Sequence, residues 1–230
     1  MNIIWLGHGS FRIEIGQETL LVDPWLNGNP MLPEDRHDDA IAGATQILVT
    51  HGHFDHTTDI VAISQRTGAP VSGMYELAQR LHALGAVEGQ AFNIGGTVQF
   101  NDVAVCMVPA SHSSSMMVDD KPLYVGQESG FMISGEGQTI YLSGDTGIMA
   151  DMDWMGAYHK PDIGILSAGG HFTMDMAQAA WAAQRYFDFK TVIPCHYRTF
   201  PLLEQSGKVL ADGLPGVDVI EPQVMEPITL

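Results

Sequence analysis

Residues 50–56 read THGHFDH and follow directly on the apolar run ILV at 47–49. The segment holds three of the ten histidines of the chain. The apolar run predicts a short buried strand, and residues 57–66, ended by Gly68, predict a helix. A polar segment between a buried strand and a helix is a typical place for residues that bind or catalyse.

The spacing within this segment predicts a metal site. Side chains two apart on an extended chain point to the same side, so His51 and His53 can bind one metal ion. Asp55 and His56 enter the helix, point elsewhere and can bind a second ion. Imidazole and carboxylate ligands without thiolate suit zinc, manganese, iron or nickel. The alternative is a solvated loop that is rich in histidine by chance, and the strand before and helix after it disfavour that alternative.

A site of this kind needs further ligands from other parts of the chain. Three candidates stand at the ends of predicted strands, which is where such ligands are expected. They are His112 in PASHSSS, Asp145 in SGDTG and His196 in CHYRTF.

The rest of the pattern predicts mixed sheets covered by helices. Short strands at 2–6, 11–15 and 19–23 are separated by turns that contain glycine, as in an antiparallel meander. The last third of the chain alternates strands with helices predicted at 174–187 and 201–211. Early hairpins followed by βαβ units indicate an α/β (α+β) fold.

Composition limits the function. The 230 residues, 45% hydrophobic and 16% charged, show no linker, low-complexity tract or repeat, which predicts a single domain over residues 1–230. The net charge is −17 and the ten Lys and Arg residues are dispersed singly, which disfavours nucleic-acid and membrane partners. Without a basic leader or a long apolar run, and with only Cys106 and Cys195, the chain is predicted to be cytoplasmic.

The histidines and aspartates, in the order HxHxDH, His, Asp and His, resemble the ligand series of the metallo-β-lactamase superfamily, and the resemblance covers essentially the whole chain. It implies a four-layer αββα sandwich with the metals at one edge between the sheets. Further motifs are similar to a branch of metal-dependent hydrolases related to ascorbate-6-phosphate lactonase-like proteins. These motifs are LGHGSF, DPWLNGNP, NIGGTV, PASHSSS, GDTG, HFTM and HYRTFPLLEQ.

The resemblance also implies the ligands of two divalent ions, with zinc as the first choice and manganese, nickel or iron as alternatives. The first ion would be held by His51, His53 and His112, the second by Asp55, His56 and His196, and Asp145 would bridge the two. Seven ligands without thiolate leave each ion an open position, which is typical of catalytic rather than structural sites.

The predicted activity is hydrolysis of a small molecule. A water molecule shared by two ions ~3.5–4 Å apart has its pKa lowered toward ~7, and the hydroxide then attacks an ester, a lactone or a phosphoester. The catalytic candidates are Asp55, as a ligand, and His171, as the general acid that protonates the leaving group. The position of His171 resembles that of a histidine in phosphodiesterase relatives of the superfamily. A histidine that only orders the loop before the helix is the alternative.

Three further residues are expected near the metals. His8 would contact the substrate or support a ligand, and Asp23 would orient a ligand histidine. Arg198 would bind a phosphate or carboxylate group, although the similar branch tends to carry glycine there. The alternatives are a loop-packing histidine, an aspartate that caps a turn and a surface charge.

Two other functions stay open at this point. An iron-containing oxidoreductase can use the same fold, and so can a metal-binding protein without catalytic activity. The expected partner is a small-molecule substrate, and assembly of identical chains is left open.

Overall fold

The computed structural model describes residues 1–230. Sixteen strands form the sheets: β1 (Asn2–Gly7), β2 (Ser10–Ile15), β3 (Glu18–Val22), β4 (Gln46–Val49), β5 (Val71–Met74), β6 (Glu88–Phe92), β7 (Thr97–Phe100), β8 (Val103–Pro109), β9 (Ser115–Val118), β10 (Lys121–Tyr124), β11 (Ser129–Gly135), β12 (Gln138–Leu142), β13 (Ile163–Ser167), β14 (Thr191–Cys195), β15 (Asp218–Val219) and β16 (Pro227–Thr229).

Seven α-helices and one short 3-10 helix, Glu34–Arg36, connect the strands. The α-helices are α1 (His37–Ile41), α2 (Phe54–Thr57), α3 (Ile60–Thr67), α4 (Tyr75–Ala83), α5 (Met152–His159), α6 (Met176–Tyr186) and α7 (Lys208–Gly213). None of them combines the length and the apolar character that a bilayer span needs.

Two seven-stranded sheets carry the architecture. The first has the order β16-β1-β2-β3-β4-β5-β6, and the second has the order β15-β14-β13-β12-β11-β8-β7. Strands β1, β2 and β3 pair in the predicted antiparallel meander, whereas β3, β4, β5 and β6 pair in parallel. A separate hairpin is formed by β9 and β10. The mixed sheets predicted from the sequence are confirmed.

The two sheets share one hydrophobic core. It is a continuous cluster of 55 buried residues drawn from both sheets and from the helices. Helix α4 contacts β5 and β6 of the first sheet, and α6 and α7 contact β13 and β15 of the second. Each sheet therefore buries one face on the other sheet and the opposite face under helices, which gives the four-layer sandwich.

Two predicted helices differ from the structure. The helix predicted at 57–66 is divided into α2 and α3, and it ends as predicted at Gly68, whose φ of 77° is left-handed. The prediction at 201–211 is wrong in its first half, because residues 201–203 form a turn and residues 204–207 are not helical. There the amide of Glu204 donates to the carbonyl of Gly169, a distant partner that replaces the helical one.

The strand directions bring the predicted site residues to one edge. In the first sheet β1, β3 and β4 run in the same direction, and in the second sheet β8, β12, β13 and β14 do so. The segments that follow these strands all leave the sheets at their carboxyl ends. They contain His8, Asp23, residues 50–56, His112, Asp145, residues 168–174 and His196.

Candidate metal centre

Three histidines converge on one point at this edge. The Nδ1 atom of His53 lies 3.0 Å from Nε2 of His51 and 3.3 Å from Nε2 of His112. His51 is fully buried, whereas His53 and His112 are partly exposed toward a cavity. Three imidazole nitrogens at this separation form a ligand set for one metal ion.

A second, fully buried group lies beside the first. It consists of Asp55, His56, Asp145 and His196, whose ligand atoms all lie within 4.8 Å of one another. The Oδ2 atom of Asp55 is 3.5 Å from Nε2 of both His56 and His196. Because Asp55 and His56 belong to α2 and His196 follows β14, this group joins the two sheets.

The carboxylate of Asp145, a member of the second group, also lies close to the first. Its Oδ2 atom is 3.0 Å from Nε2 of His196 and 3.6 Å from Nε2 of His56 in the second group. The same oxygen is 3.7 Å from Nε2 of His112 and 3.9 Å from Nε2 of His51 in the first group. One oxygen atom therefore faces four imidazoles, which is the arrangement expected of a ligand shared by two ions.

The hydrogen bonding around the two groups fits cation binding. The Nε2 atom of His56 is buried and has no hydrogen-bond partner. A buried polar atom without a partner costs free energy, and a cation at this point would remove that cost. All the converging atoms are imidazole nitrogens or carboxylate oxygens, a donor set that suits divalent zinc, manganese, iron or nickel.

Asp23 holds two of the histidines in the orientation that a metal needs. It accepts hydrogen bonds from Nδ1 of His56 at 2.7 Å, from the amide of Thr50 at 2.8 Å and from the Thr50 hydroxyl at 2.5 Å. The same hydroxyl lies 3.0 Å from Nδ1 of His51. With a metal ion bound, protons on both Nδ1 atoms would leave both Nε2 lone pairs directed into the site.

His8 plays a similar part for Asp55. Its Nε2 atom is 2.8 Å from Oδ2 of Asp55, and its Nδ1 atom is 2.8 Å from the hydroxyl of Thr199. The backbone carbonyl of His8 accepts from the indole of Trp5 at 2.8 Å and from the amide of His196 at 2.9 Å. Burial lowers the pKa of His8 to about 4, so the imidazole is neutral at pH 7.

Burial and neighbouring carboxylates shift the pKa values of buried histidines in opposite directions. Burial lowers the pKa of His51 well below its usual value, which leaves this imidazole neutral and ready to bind a cation. Burial would also lower the pKa of His196, but the neighbouring carboxylates of Asp145 and Asp55 outweigh it and raise the pKa to about 9. In the metal-free protein the carboxylates thus draw a proton onto His196, and a cation would displace it.

Four side chains of this region project from left-handed backbone. The φ angles are 52° at His8, 47° at Asp23, 58° at His196 and 65° at Arg198. Residues other than glycine rarely adopt this conformation, and each instance costs of order 1–3 kcal/mol. Such strain persists where the surrounding structure imposes it, and it is concentrated at functional sites.

Two predicted residues lie apart from the two groups. His171 is exposed and does not line the cavity, whereas its neighbour Phe172 does. Arg198 also does not line the cavity, and its guanidinium carbon lies 5.7 Å from the centre of the Tyr197 ring. The roles assigned to His171 as general acid and to Arg198 as anion ligand stay predictions without support from these positions.

A large cavity opens over the two groups. Its volume is about 790 Å³. Nine of its twenty lining residues are hydrophobic and form its apolar wall: Phe54, Val61, Leu81, Leu84, Met116, Met117, Phe172, Phe200 and Leu202. Its lining includes His8, His53, Asp55, His112, Asp145 and His196. The sequence analysis missed this apolar wall, because its members come from distant segments such as α4, the β9–β10 hairpin and residues 200–202. It also missed Thr50 and Thr199, for which the only signal was their nearness to His51 and His196.

The comparisons with known proteins agree with this geometry. Residues 18–197 match the beta-lactamase superfamily domain. The chain belongs to this superfamily. A UPF0173 metal-dependent hydrolase of Cereibacter sphaeroides is 64% identical over 230 residues, which cover 100% of each chain. A second UPF0173 metal-dependent hydrolase, from Ruegeria pomeroyi, is 64% identical over 228 residues and 99% of each chain.

A solved structure is similar to this chain over its whole length. The metallo hydrolase of the hyperthermophilic archaeon Ignicoccus hospitalis has a TM-score of 0.83 and 30% sequence identity, and covers 100% of this chain and 98% of its own. The αββα sandwich expected from the sequence is therefore confirmed.

Proposed function

We propose that the chain is a hydrolase that depends on two divalent metal ions. The proposed ligands are His51, His53 and His112 for the first ion, Asp55, His56 and His196 for the second, and Asp145 for both. The observation that carries the proposal is the position of one Asp145 oxygen within 3.9 Å of four imidazoles. The names of the relatives, metal-dependent hydrolases that match the full chain, support the same activity.

The reaction is addition of water to an ester, lactone or phosphoester. Two bound cations would lower the pKa of a water molecule toward ~7 and polarise the bond under attack. The oxygen of water joins the carbonyl carbon or the phosphorus, the bond to the leaving oxygen breaks, and a proton from water ends on the leaving oxygen. Zinc is the first choice of metal, with manganese, nickel and iron as alternatives.

The residues around the ligands orient them. Asp23 fixes the ring of His56 through a 2.7 Å hydrogen bond, and His8 fixes the carboxylate of Asp55 through a 2.8 Å contact. A substrate that covers the apolar wall would displace water from the cavity, which would strengthen the electrostatic interactions within it.

Metal content tests this proposal. We expect two ions per chain at saturating zinc or manganese, measured by mass spectrometry of the purified protein, because two separate ligand groups are present. His112→Ala should lose the first ion, and His159→Ala, on the outer helix α5, should keep both. At most one ion per chain with all seven ligands intact would contradict the dinuclear site.

The oxidoreductase alternative requires iron as the native metal. Mass spectrometry of protein purified with and without air shows whether iron is bound.

Two histidines can be compared as candidates for a role beside the metals. His8→Ala should weaken binding of the second ion ~10–100-fold, because it removes the partner that orients Asp55. His171→Ala should leave the metal content and the rate within about twofold, since this exposed side chain does not line the cavity. The measurements are metal titration and kcat for one activated and one unactivated ester.

The opposite pattern would restore the role predicted for His171. A general acid speeds hydrolysis by ~10²–10⁴-fold when the leaving group is poor and has little effect when the leaving group is activated. A loss of that size in His171→Ala, confined to the unactivated ester, would show that His171 protonates the leaving group.

A further inference from the structure

We infer that the substrate is a neutral, largely apolar carboxylic ester or lactone, which enters the cavity with its hydrocarbon part against the apolar wall. This inference rests on the proposed function and narrows the three substrate classes that it allows. It is carried by the lining of the cavity, by the charges that this lining contains and by the position of exposed apolar side chains.

The apolar wall of the cavity combines side chains from separate segments. Val61 and Leu81 come from α3 and α4, Met116 comes from the β9–β10 hairpin, and Phe200 follows His196 along the chain. A cavity of about 790 Å³ falls within the range that holds a small organic molecule. A substrate that fills this space gains free energy only from the parts that are themselves apolar.

The charges within the cavity disfavour an anionic substrate. No Lys or Arg is among its lining residues, and its two carboxylates, Asp55 and Asp145, belong to the ligand groups. Sites that select phosphate or carboxylate groups normally supply guanidinium or ammonium groups for them. Arg198, the cation expected for this purpose, lies outside the lining. A phosphoester would therefore rely on the metals alone.

Exposed apolar side chains gather at the cavity. Five of the fourteen large hydrophobic side chains exposed on the protein line this one cavity: Phe54, Leu84, Met117, Phe172 and Leu202. Scattered exposed apolar residues need no explanation, but a group around one concave site indicates a ligand that covers them. Among the polar groups of the lining, the hydroxyl of Ser113, 3.3 Å from Nε2 of His53, can donate to an ester oxygen.

The reaction itself changes the charge of the ligand. Water adds to the carbonyl carbon, the bond from that carbon to the alkoxy oxygen breaks, and the products are an alcohol and a carboxylic acid that ionises. The acid would ionise beside the two proposed cations, and no lysine or arginine of the lining would add to their hold on the anionic product.

The test uses alkyl hydroxamic acids, which are uncharged in solution at pH 7, bind metals as hydroxamates and differ only in chain length. Calorimetric titration of the metal-loaded protein with aceto-, hexano- and octanohydroxamate should show affinity rising up to about fourfold per added methylene, the ratio that corresponds to ~0.8 kcal/mol. Equal affinity for all three probes, or no binding of any probe to protein that holds two ions, would overturn the inference and leave the metal site standing. Absence of bound metal would overturn the proposed function and the inference with it.

A matched pair of leucines locates the effect. Leu84 is 45% exposed and lines the cavity, whereas Leu123 is 43% exposed and does not. Leu84→Gln should lower the affinity for octanohydroxamate about threefold to tenfold and leave the affinity for acetohydroxamate unchanged. The reason is that the amide of glutamine replaces an apolar contact only along the alkyl chain of the longer probe. Leu123→Gln should change neither. Equal effects of the two substitutions would contradict the place proposed for the alkyl chain of the probe, which is against Leu84.

Turnover supplies a second readout on the same protein. We expect p-nitrophenyl octanoate to be hydrolysed with a higher kcat/KM than both p-nitrophenyl acetate and bis(p-nitrophenyl) phosphate. A higher kcat/KM for the phosphodiester would assign the site to phosphoesters and overturn the inference, while the metal-dependent hydrolase would remain.

Discussion

Asp145→Ala is expected to lower kcat/KM by at least ~10³-fold and to weaken the binding of the second metal ion, while the chain still folds. A metal ion that polarises the bond under attack is worth several kcal/mol in the transition state, and about 4 kcal/mol corresponds to a factor of ~10³, so loss of the proposed shared ligand should cost about this much. The side chain lies at the edge of the sandwich and not in the hydrophobic core, so the sheets keep their packing. The measurements are steady-state kinetics, metal content and circular dichroism.

An exposed aspartate serves as the control for this substitution. Asp188→Ala removes the same carboxylate from the surface segment between α6 and β14, and should leave both metal content and rate unchanged. Full activity in Asp145→Ala would contradict the shared-ligand role. Loss of activity with both ions still bound would assign Asp145 to proton transfer instead of metal binding.

Trp5→Ala should destabilise the metal-free protein by ~3–5 kcal/mol, the usual cost of removing a buried tryptophan. Trp5 is fully buried in β1, stacks on Tyr197 at 5.6 Å between ring centres, and donates to the carbonyl of His8. Trp5→Phe keeps most of the packing but removes the donor, so the loss should fall to about 1–2 kcal/mol. Urea unfolding without metal measures each value free of ligand effects.

The matched control for this second experiment is another tryptophan. Trp181 lies on α6 with about half of its surface exposed, and Trp181→Ala should change the free energy of unfolding by less than ~0.5 kcal/mol. Similar losses in Trp5→Ala and Trp181→Ala would contradict the buried, stacked position of Trp5 in the core.

The sequence could predict which residues meet because the rule behind that prediction is local. A polar side chain directly after a buried strand, such as His51 or Asp145, is carried to the carboxyl edge of its sheet by the strand itself. Strands that run in the same direction then place such side chains together, whatever lies between them in the chain. The order of the motifs and their resemblance to one superfamily supplied the αββα arrangement of the two sheets.

Features that depend on distant contacts could not be predicted in this way. Residues 201–207 read as part of a helix, but the amide of Glu204 bonds to Gly169, which is far away in the chain. The apolar wall of the cavity combines Leu84 with Met117 and Leu202, and no pattern within any one segment shows that these side chains share a space. His171 lies outside the cavity lining whereas the next residue, Phe172, is part of it, and the role of His171 as general acid stays a prediction.

The left-handed backbone at His8, Asp23, His196 and Arg198 costs stability. Three of these positions carry a side chain of the candidate metal centre. Glycine would relieve the steric cost of each φ angle, and the branch that the sequence resembles tends to carry glycine at position 198. At His8, Asp23 and His196, however, the same exchange would remove an imidazole or a carboxylate from the metal centre. The exchange would also leave buried partners of these side chains, such as the Thr50 amide and the Thr199 hydroxyl, without a hydrogen bond, so an engineered variant of this protein should be stabilised elsewhere.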